Sequence, residues 1–356
     1  MVEKFEKIGC VEQPSAFAML RALRALSPFS RTRERVVLMM SSFVTLTFGG
    51  IGTSCIAFVI YRLLYYHNKR DLSSLFALQS EDNCGRIGKK VGDGVKRTKV
   101  EVDYEAYPKE IGDFLKGASV YDSSSSHAAR VLFVDRDGGY FVKEAERGSL
   151  LKEAELAKFF AERNLTSKVL LYRTEGEKDY LITERVQGED ATFAAYLERP
   201  EKLCEVLAES MRMLHAADMR NCPVPDRMKD YLATVDERYH KGMFDPSIYG
   251  DNVVFKTAEE AWQTVQEYKH LFHSDTLIHG DFCLPNIILN SFNFSGFIDL
   301  GNGGVGDRHV DLFWCAWSLW YNLKTDKYTD RFFDAYGREK IDKDILRAVY
   351  AAEAFG

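Results

Sequence analysis

Paired cysteines, metal-ligand spacings and basic charge are what this chain has least of. Its seven cysteines (Cys10, Cys55, Cys84, Cys204, Cys222, Cys283 and Cys315) are odd in number, scattered and without a CxxC pair. That excludes a zinc ribbon and a disulfide framework, and fits a reducing compartment such as the cytoplasm. His240, His270 and His273 form no metal-binding spacing and read as solvated side chains. Residues 100–356 carry 31 Lys and Arg against 45 Asp and Glu, a net charge of −14. A domain so acidic lacks the basic surface that nucleic acid needs, and instead attracts cationic small molecules. No internal repeat is visible. What is present is globular composition, with 46% hydrophobic and 28% charged residues in 356, enough for two domains or one bilobed domain.

The first part of the chain differs from the rest. Residues 1–99 carry a net charge of +8, with 16 basic and 8 acidic side chains. From Val36 to Tyr61 there is no charged residue, and Arg31, Arg33, Arg35 and Arg62 flank the run. Residues 36–61 are long enough to span a bilayer as one helix. Their β-branched, Gly-rich centre is a poor helix former in water, and basic residues on both sides leave the orientation open. No small-residue cleavage site suggests a signal peptide. Residues 1–95 therefore have two open readings: an extension with a membrane anchor, or an over-extended reading frame with its true start near Val95.

From about Lys99 the pattern becomes globular. Short strands are expected at Ala118–Tyr121, Ala129–Val134 and Tyr140–Lys143, with a turn at Asp135-Arg136-Asp137-Gly138-Gly139. A helix follows from Ser149 to Arg163, then strands at Val169–Tyr172 and Tyr180–Val186. After Gly188 helices are expected at Pro200–His215 and Ala258–Phe272, with a loop-rich stretch from Ala217 to Lys256 between them. Strands at Ile287–Leu289 and Gly296–Ile298 precede a helical, aromatic end from Val310. The aromatic stripe of Phe313, Trp314, Trp317, Trp320 and Tyr321 reads as core. This is an α+β chain: a small β-rich lobe over 96–187, then a larger helical lobe over 188–356.

One segment carries chemistry. His279-Gly280-Asp281-Phe282-Cys283-Leu284-Pro285-Asn286 is followed, after two short strands, by Ile298-Asp299-Leu300-Gly301. An Asp, an Asn and a second Asp then face one cleft. The first, Asp281, can take a proton from an attacking hydroxyl. Asn286 and Asp299 can hold Mg²⁺ through hard oxygen ligands. Order and strand context coincide, so three polar residues merely capping turns is the weaker reading. Lys143, at the end of a strand with a helix just after it, is placed to meet phosphates and a carboxylate partner.

HGDFCLPNIIL together with SGFIDLGNGGVGDRHVDL resembles the aminoglycoside phosphotransferases, most closely the 3′-phosphotransferases, over about residues 100–356. The resemblance implies a protein-kinase-like bilobed fold and ATP- and Mg²⁺-dependent transfer to a hydroxyl of an aminoglycoside antibiotic. It implies Asp281 as catalytic base and Asn286 and Asp299 as Mg²⁺ ligands. It also implies Lys143 on the ATP phosphates with Glu153 (Glu155 as the fallback) as ion-pair partner. Ser126, in the run Asp122–Ser126, falls where the family's nucleotide loop covers the phosphates. Glu184 and Val186 fall at the inter-lobe hinge, where backbone groups bond adenine. Asp307 and Asp311 match positions that order loops and cap helices. The substrate side departs from the pattern. The Arg usual after IDLG is Asn302 here, and charged positions in the following helix are Trp317 and Tyr321. Asp245, Asp251 and Glu353 are the remaining carboxylates implied for a cationic substrate. Two rival functions stay in view: a kinase for another hydroxylated amine or sugar, and a non-catalytic nucleotide-binding module tethered to a membrane.

Overall fold

The computed structural model describes residues 97–125, 128–249 and 254–356. The hydrophobic run 36–61, Ser126 and Asp251 lie outside the described residues. Among the described residues, no helix is long and apolar enough to cross a membrane.

In chain order the elements are β1 (Thr98–Lys99), α1 (Lys109–Leu115), β2 (Ser119–Asp122), β3 (Ala129–Asp135), β4 (Tyr140–Glu146), α2 (Leu151–Ala161), β5 (Val169–Glu175) and β6 (Lys178–Glu184). Then come β7 (Glu189–Asp190), α3 (Ala194–Leu197), α4 (Pro200–His215), α5 (Arg227–His240), α6 (Ala258–Tyr268), β8 (Thr276–Ile278), β9 (Ile287–Asn290), β10 (Asn293–Phe297) and β11 (Gly304–Gly306). The chain finishes with α7 (Arg308–Leu323), α8 (Lys327–Tyr336) and α9 (Lys343–Glu353).

β1 to β6 form one antiparallel sheet in the order β1-β2-β3-β4-β6-β5. Strand alternation sends Val142, with Leu132, Val134 and Ile182, into a core closed by Ile111 and Leu115 of α1. Lys143, one residue on, points to the other face, where α2 waits.

The second lobe is helical, as its apolar periodicity predicts. α4 packs against α8, and α6 against α9, around a core that includes Leu203, Leu207, Phe313 and Phe332. Four of its helices start on side-chain caps: Asp226 accepts from the Lys229 amide, Thr257 from Glu260, Asp307 from His309 and Asp342 from Ile345. The loop-rich stretch expected over Ala217–Lys256 is a correction. It contains α5, fourteen residues long, capped by Asp226. Only Met228, Tyr231 and Val235 of it are buried, spaced at three and four residues, and charged side chains between them conceal the stripe.

Gly188 joins the two lobes at φ +124°, and a Cβ there would lie 2.2 Å from the carbonyl oxygen of Leu289. Backbone strain and overlap act together at this point. Gly188→Ala is expected to cost about 2–3 kcal/mol, read as a lowered urea midpoint with an unchanged slope.

Candidate active site

The loop between β8 and β9 carries His279, Gly280 and Asp281. Gly280 has φ +77°, and a Cβ there would meet the carbonyl of Asn302 at 2.0 Å, so the loop closes directly on the segment after Asp299. His279 is fully buried. Its Nε2 lies 3.0 Å from the carbonyl of Ile298, and its Nδ1 accepts the Asp281 amide at 3.3 Å. These two bonds select the neutral tautomer protonated at Nε2. His279 is thus a strut for the loop.

Asp311 of α7, fully buried, holds the same loop from below. Its two oxygens accept the His279 amide at 2.9 Å and the Gly280 amide at 2.8 Å. His215 at the end of α4 adds a third contact, Nε2 to Asp311 Oδ2 at 3.1 Å, while its Nδ1 meets the Tyr336 hydroxyl at 2.9 Å. Nothing in the sequence marks His215 or Tyr336 for this task, because α4 and α8 meet only in three dimensions.

Asp281 emerges from this support with one carboxylate oxygen, Oδ1, buried and without a hydrogen-bond partner among the described residues. A buried carboxylate oxygen without a partner is costly, and such cost accumulates at functional sites. Five residues on, Asn286 donates its Nδ2 to the Asp281 carbonyl at 3.0 Å. That commits the amide's donor side to the loop and leaves Oδ1 as its acceptor.

Asp299 sits at φ 62°, ψ 57°, the left-handed region, which swings its carboxylate out of β10's line. It accepts Lys143 Nζ at 3.1 Å, and Lys143 also donates to Glu153 at 2.7 and 2.9 Å. One lysine therefore ties α2 of the sheet lobe to the Asp of the helical lobe. Burial works against the charge on Lys143, but the Asp299 and Glu153 carboxylates outweigh it and raise its pKa above the ordinary lysine value. The ammonium is permanently charged at neutral pH. Glu153, not Glu155, is its partner.

Asn286 and Asp299 carry oxygen donors of the kind Mg²⁺ takes, an ion that uses one or two carboxylates and completes its shell with phosphates and water. Among the described residues, no group of three or more His, Cys, Asp or Glu could hold a metal ion. An ion at this pair would need phosphate oxygens as further ligands, which is the donor set of a nucleotide-dependent enzyme.

The remaining expected residues are less uniform. At the hinge, the Glu184 amide donates to the Lys168 carbonyl at 2.9 Å, and its carbonyl accepts Ser167 Oγ at 2.5 Å. Val186, two residues on, is buried and enters no such bond among the described residues. Asp122 and Ser124 make a closed turn ahead of β3, with Ser124 Oγ accepting the Val131 amide at 2.9 Å. Asp245 is exposed, and its amide donates to the Ala354 carbonyl at 2.7 Å, beside Glu353. Glu353 is only 4% exposed and accepts the Tyr231 hydroxyl at 2.9 Å. Sequence reading missed Arg227, the first residue of α5, whose Nε donates to the Asn302 carbonyl at 3.0 Å.

Asp307 caps α7 and braces the region electrostatically. It accepts His309 Nδ1 at 2.6 Å and the amides of His309 and His273 at 3.0 Å each. Burial pushes its carboxyl up, but these hydrogen bonds pull it further down, below the ordinary 3.8. A depressed pKa adds stability that is present above pH 3.8 and is lost as pH falls through the folded value. Asp307→Asn should cost about 1–2 kcal/mol at pH 7. The gap should close below pH 3.8 in acid-dependent urea unfolding, and a constant gap down to pH 2 would contradict the assignment.

Residues 121–349 match the model of the APH phosphotransferase enzyme family. The chain belongs to this family. Among the curated phosphotransferases it resembles, the probable aminoglycoside 3′-phosphotransferase of Lactococcus lactis is 43% identical over 263 residues, covering 72% of this chain and 98% of that protein. The aminoglycoside 3′-phosphotransferase of Niallia circulans is 29% identical over 188 residues, covering 53% of this chain and 71% of that protein. The crystal structure of an aminoglycoside 3′-phosphotransferase of type VIII superposes with a TM-score of 0.57 at 23% identity, covering 72% of this chain and all of that one. The fold is thus the kinase-like fold of these phosphotransferases.

Proposed function

We propose that the protein is an ATP- and Mg²⁺-dependent O-phosphotransferase whose acceptor is a hydroxyl of an aminoglycoside, and so a resistance kinase acting in the cytoplasm. The observation that carries this reading is the pairing of Lys143 with both Glu153 and Asp299, in a chain whose Asp281 keeps a buried oxygen with no partner among the described residues. The 43% identity with the Lactococcus protein supports the choice of acceptor.

In this reading, 96–187 and 188–356 are the two lobes, and ATP lies between them. Val186 is the hinge residue with backbone groups free for adenine, whereas those of Glu184 are engaged. Lys143 binds the α/β-phosphates, and Ser126 belongs to the segment assigned to the nucleotide. Asp281 orients the acceptor hydroxyl and takes its proton as the oxygen–phosphorus bond forms and the bond to ADP breaks. Asn286 and Asp299 hold Mg²⁺, which neutralises phosphate charge when bound. Asp245 and Asp251 supply carboxylates for ammonium groups, and Glu353, whose Oε1 is engaged by the Tyr231 hydroxyl, contributes its negative charge from behind them. Most of the rate acceleration then comes from alignment and charge stabilisation. The run 36–61 is the remaining membrane element in this reading, and cell fractionation of the full chain against a variant lacking it tests that role.

The deciding experiment measures ADP release by the purified full chain with ATP, Mg²⁺ and a panel of aminoglycosides, amino alcohols and amino sugars. ADP release with an aminoglycoside, abolished by chelation of Mg²⁺ and accompanied by a phosphorylated product, is expected. Release only with another acceptor class would overturn the aminoglycoside reading, and none with any acceptor would overturn the kinase.

A further inference from the structure

α2 begins without a cap of its own. The residue before its first turn is Leu150, which has no side-chain acceptor to offer the helix's opening amides. The acceptor comes instead from β6, twenty-nine residues on, where Oδ2 of Asp179 accepts the Leu150 amide at 3.1 Å. Asp179 is fully buried. Two further donors reach it from β5: the Tyr172 hydroxyl at 3.0 Å to the same oxygen, and the Thr174 hydroxyl at 2.7 Å to Oδ1. Burial pushes the carboxyl up, but bonds from Thr174, the amides of Gly148 and Leu150, and Tyr172 bring it below the ordinary 3.8, so it is ionised at neutral pH. A buried carboxylate with both oxygens engaged is a rigid point in the sheet lobe.

The sheet register puts this point beside Lys143. Asp179 pairs with Ala145 and Leu181 with Lys143, so all four share the face that α2 covers. The first turn of α2 packs there, with Leu150 and Ala154 on Leu181. Glu153 lies in that same turn, and its two oxygens take the Lys143 ammonium at 2.7 and 2.9 Å. A cap supplied by the helix's own loop would stabilise α2 and leave it free to slide along the sheet. A cap supplied by β6 also sets the position of α2 against β4, the strand that carries Lys143.

We infer that Asp179 is a positioning residue, which holds the start of α2 on the sheet so that Glu153 meets Lys143. The inference rests on the proposed kinase reading and concerns the use of ATP. Asp179 is fully buried and acts through Glu153 and Lys143 rather than on a ligand. Its loss would strand the Leu150 amide, free the first turn of α2 and let Glu153 drift from the ammonium it aims.

The test combines steady-state kinetics of the full chain, with an acceptor that the wild type phosphorylates, and calorimetric affinity for ATP, below the Tm of every variant. Asp179→Ala should lower kcat/KM for ATP about ten- to a hundredfold, as a misplacement of about 1 Å can. Acceptor KM should stay within about twofold of the wild type, since the acceptor's own contacts are untouched. Asp179→Asn keeps an oxygen for the Leu150 amide and gains an N–H₂ that can donate to the Thr174 hydroxyl, so it should return to within about threefold of the wild type. Because the effect passes through Glu153, adding Asp179→Ala to Glu153→Gln should lower kcat/KM for ATP by less than about twofold more. A role in stability alone would lower Tm in both backgrounds and leave kcat/KM of the folded protein unchanged, and that result would overturn the inference. An undiminished further loss in the Glu153→Gln background would overturn it too. Should Asp179→Ala fail to fold, Tyr172→Phe combined with Thr174→Val strips two donors that aim the carboxylate. That variant should lower kcat/KM for ATP about two- to fivefold, and a wild-type value there refutes the positioning role. If the wild type binds ATP but releases no ADP with any acceptor, the kinase reading fails on its own. ATP affinity then decides for Asp179: about tenfold weaker in Asp179→Ala supports the role, and an unchanged affinity removes it.

Discussion

Asp281→Asn is expected to lower kcat by about 10²–10⁴-fold while leaving the affinity for ATP nearly unchanged, since general-base contributions fall in that range. The substitution is nearly isosteric, so the loop bonds of His279 and the amide bond from Asn286 to the Asp281 carbonyl survive. What disappears is the acceptor for the hydroxyl proton and the charge that aligns it. The carboxylate is also stabilised very little by the fold, because its Oδ1 is buried without a partner. Replacing a poorly satisfied carboxylate by an amide should therefore leave thermal stability equal or slightly raised, the usual relation between activity and stability at a catalytic group. Activity and stability move in opposite directions only if Asp281 is catalytic. A kcat within tenfold of the wild type, or a large fall in Tm, would remove Asp281 from the chemistry.

Much of this site was legible because its chemistry is contiguous in the chain. Asp281, Asn286 and Asp299 lie within nineteen residues, and short apolar strands punctuate them, so order and spacing alone suggest a shared cleft. Lys143 and Glu153 were legible for a different reason. The strand was expected to end at Lys143 but runs on to Glu146; the lysine sits mid-strand, ten residues before its helix partner, and strand alternation sends it away from the core face. The parts that were not legible depend on contacts between distant elements. α5 escaped because only three of its fourteen residues are buried and its exposed face is strongly charged. With it went Arg227 and Tyr231, the partners of Asn302 and Glu353. The burial of Glu353 against the Tyr231 hydroxyl is likewise invisible in a sequence. The aromatic stripe of α7 was read as core from its spacing, which holds for Trp314. Trp317 and Tyr321 have the same spacing but are only half-buried, a difference in depth that periodicity does not show.

Asp311→Ala carries the largest expected loss of stability, about 3–5 kcal/mol, typical for removing the acceptor from a buried charged network. Three donors lose their partner at once: the amides of His279 and Gly280, and Nε2 of His215. The first two cannot relax toward solvent, because His279 is fully buried and Gly280 is pressed against the Asn302 carbonyl. Each unsatisfied buried donor costs about 1–3 kcal/mol. In thermal unfolding the loss should appear as a Tm lowered by roughly 10 °C or more for a domain of this size. Activity should fall as well, since Asp281 follows Gly280 directly and a shift of about 1 Å at a reacting group can cost about a hundredfold. Asp311→Asn separates the two effects. It retains one acceptor oxygen but turns an amide N–H₂ toward a backbone N–H, so it should recover part of the stability and little of the rate. His215→Gln, whose amide can still donate to Asp311, should be milder than Asp311→Ala in both measurements. A loss below about 1 kcal/mol in Asp311→Ala, the value of an ordinary exposed hydrogen bond, would mean that the loop is held from elsewhere. The expected order, Asp311→Ala worst, Asp311→Asn intermediate and His215→Gln mildest, follows from counting which donors each variant strands beneath the catalytic aspartate.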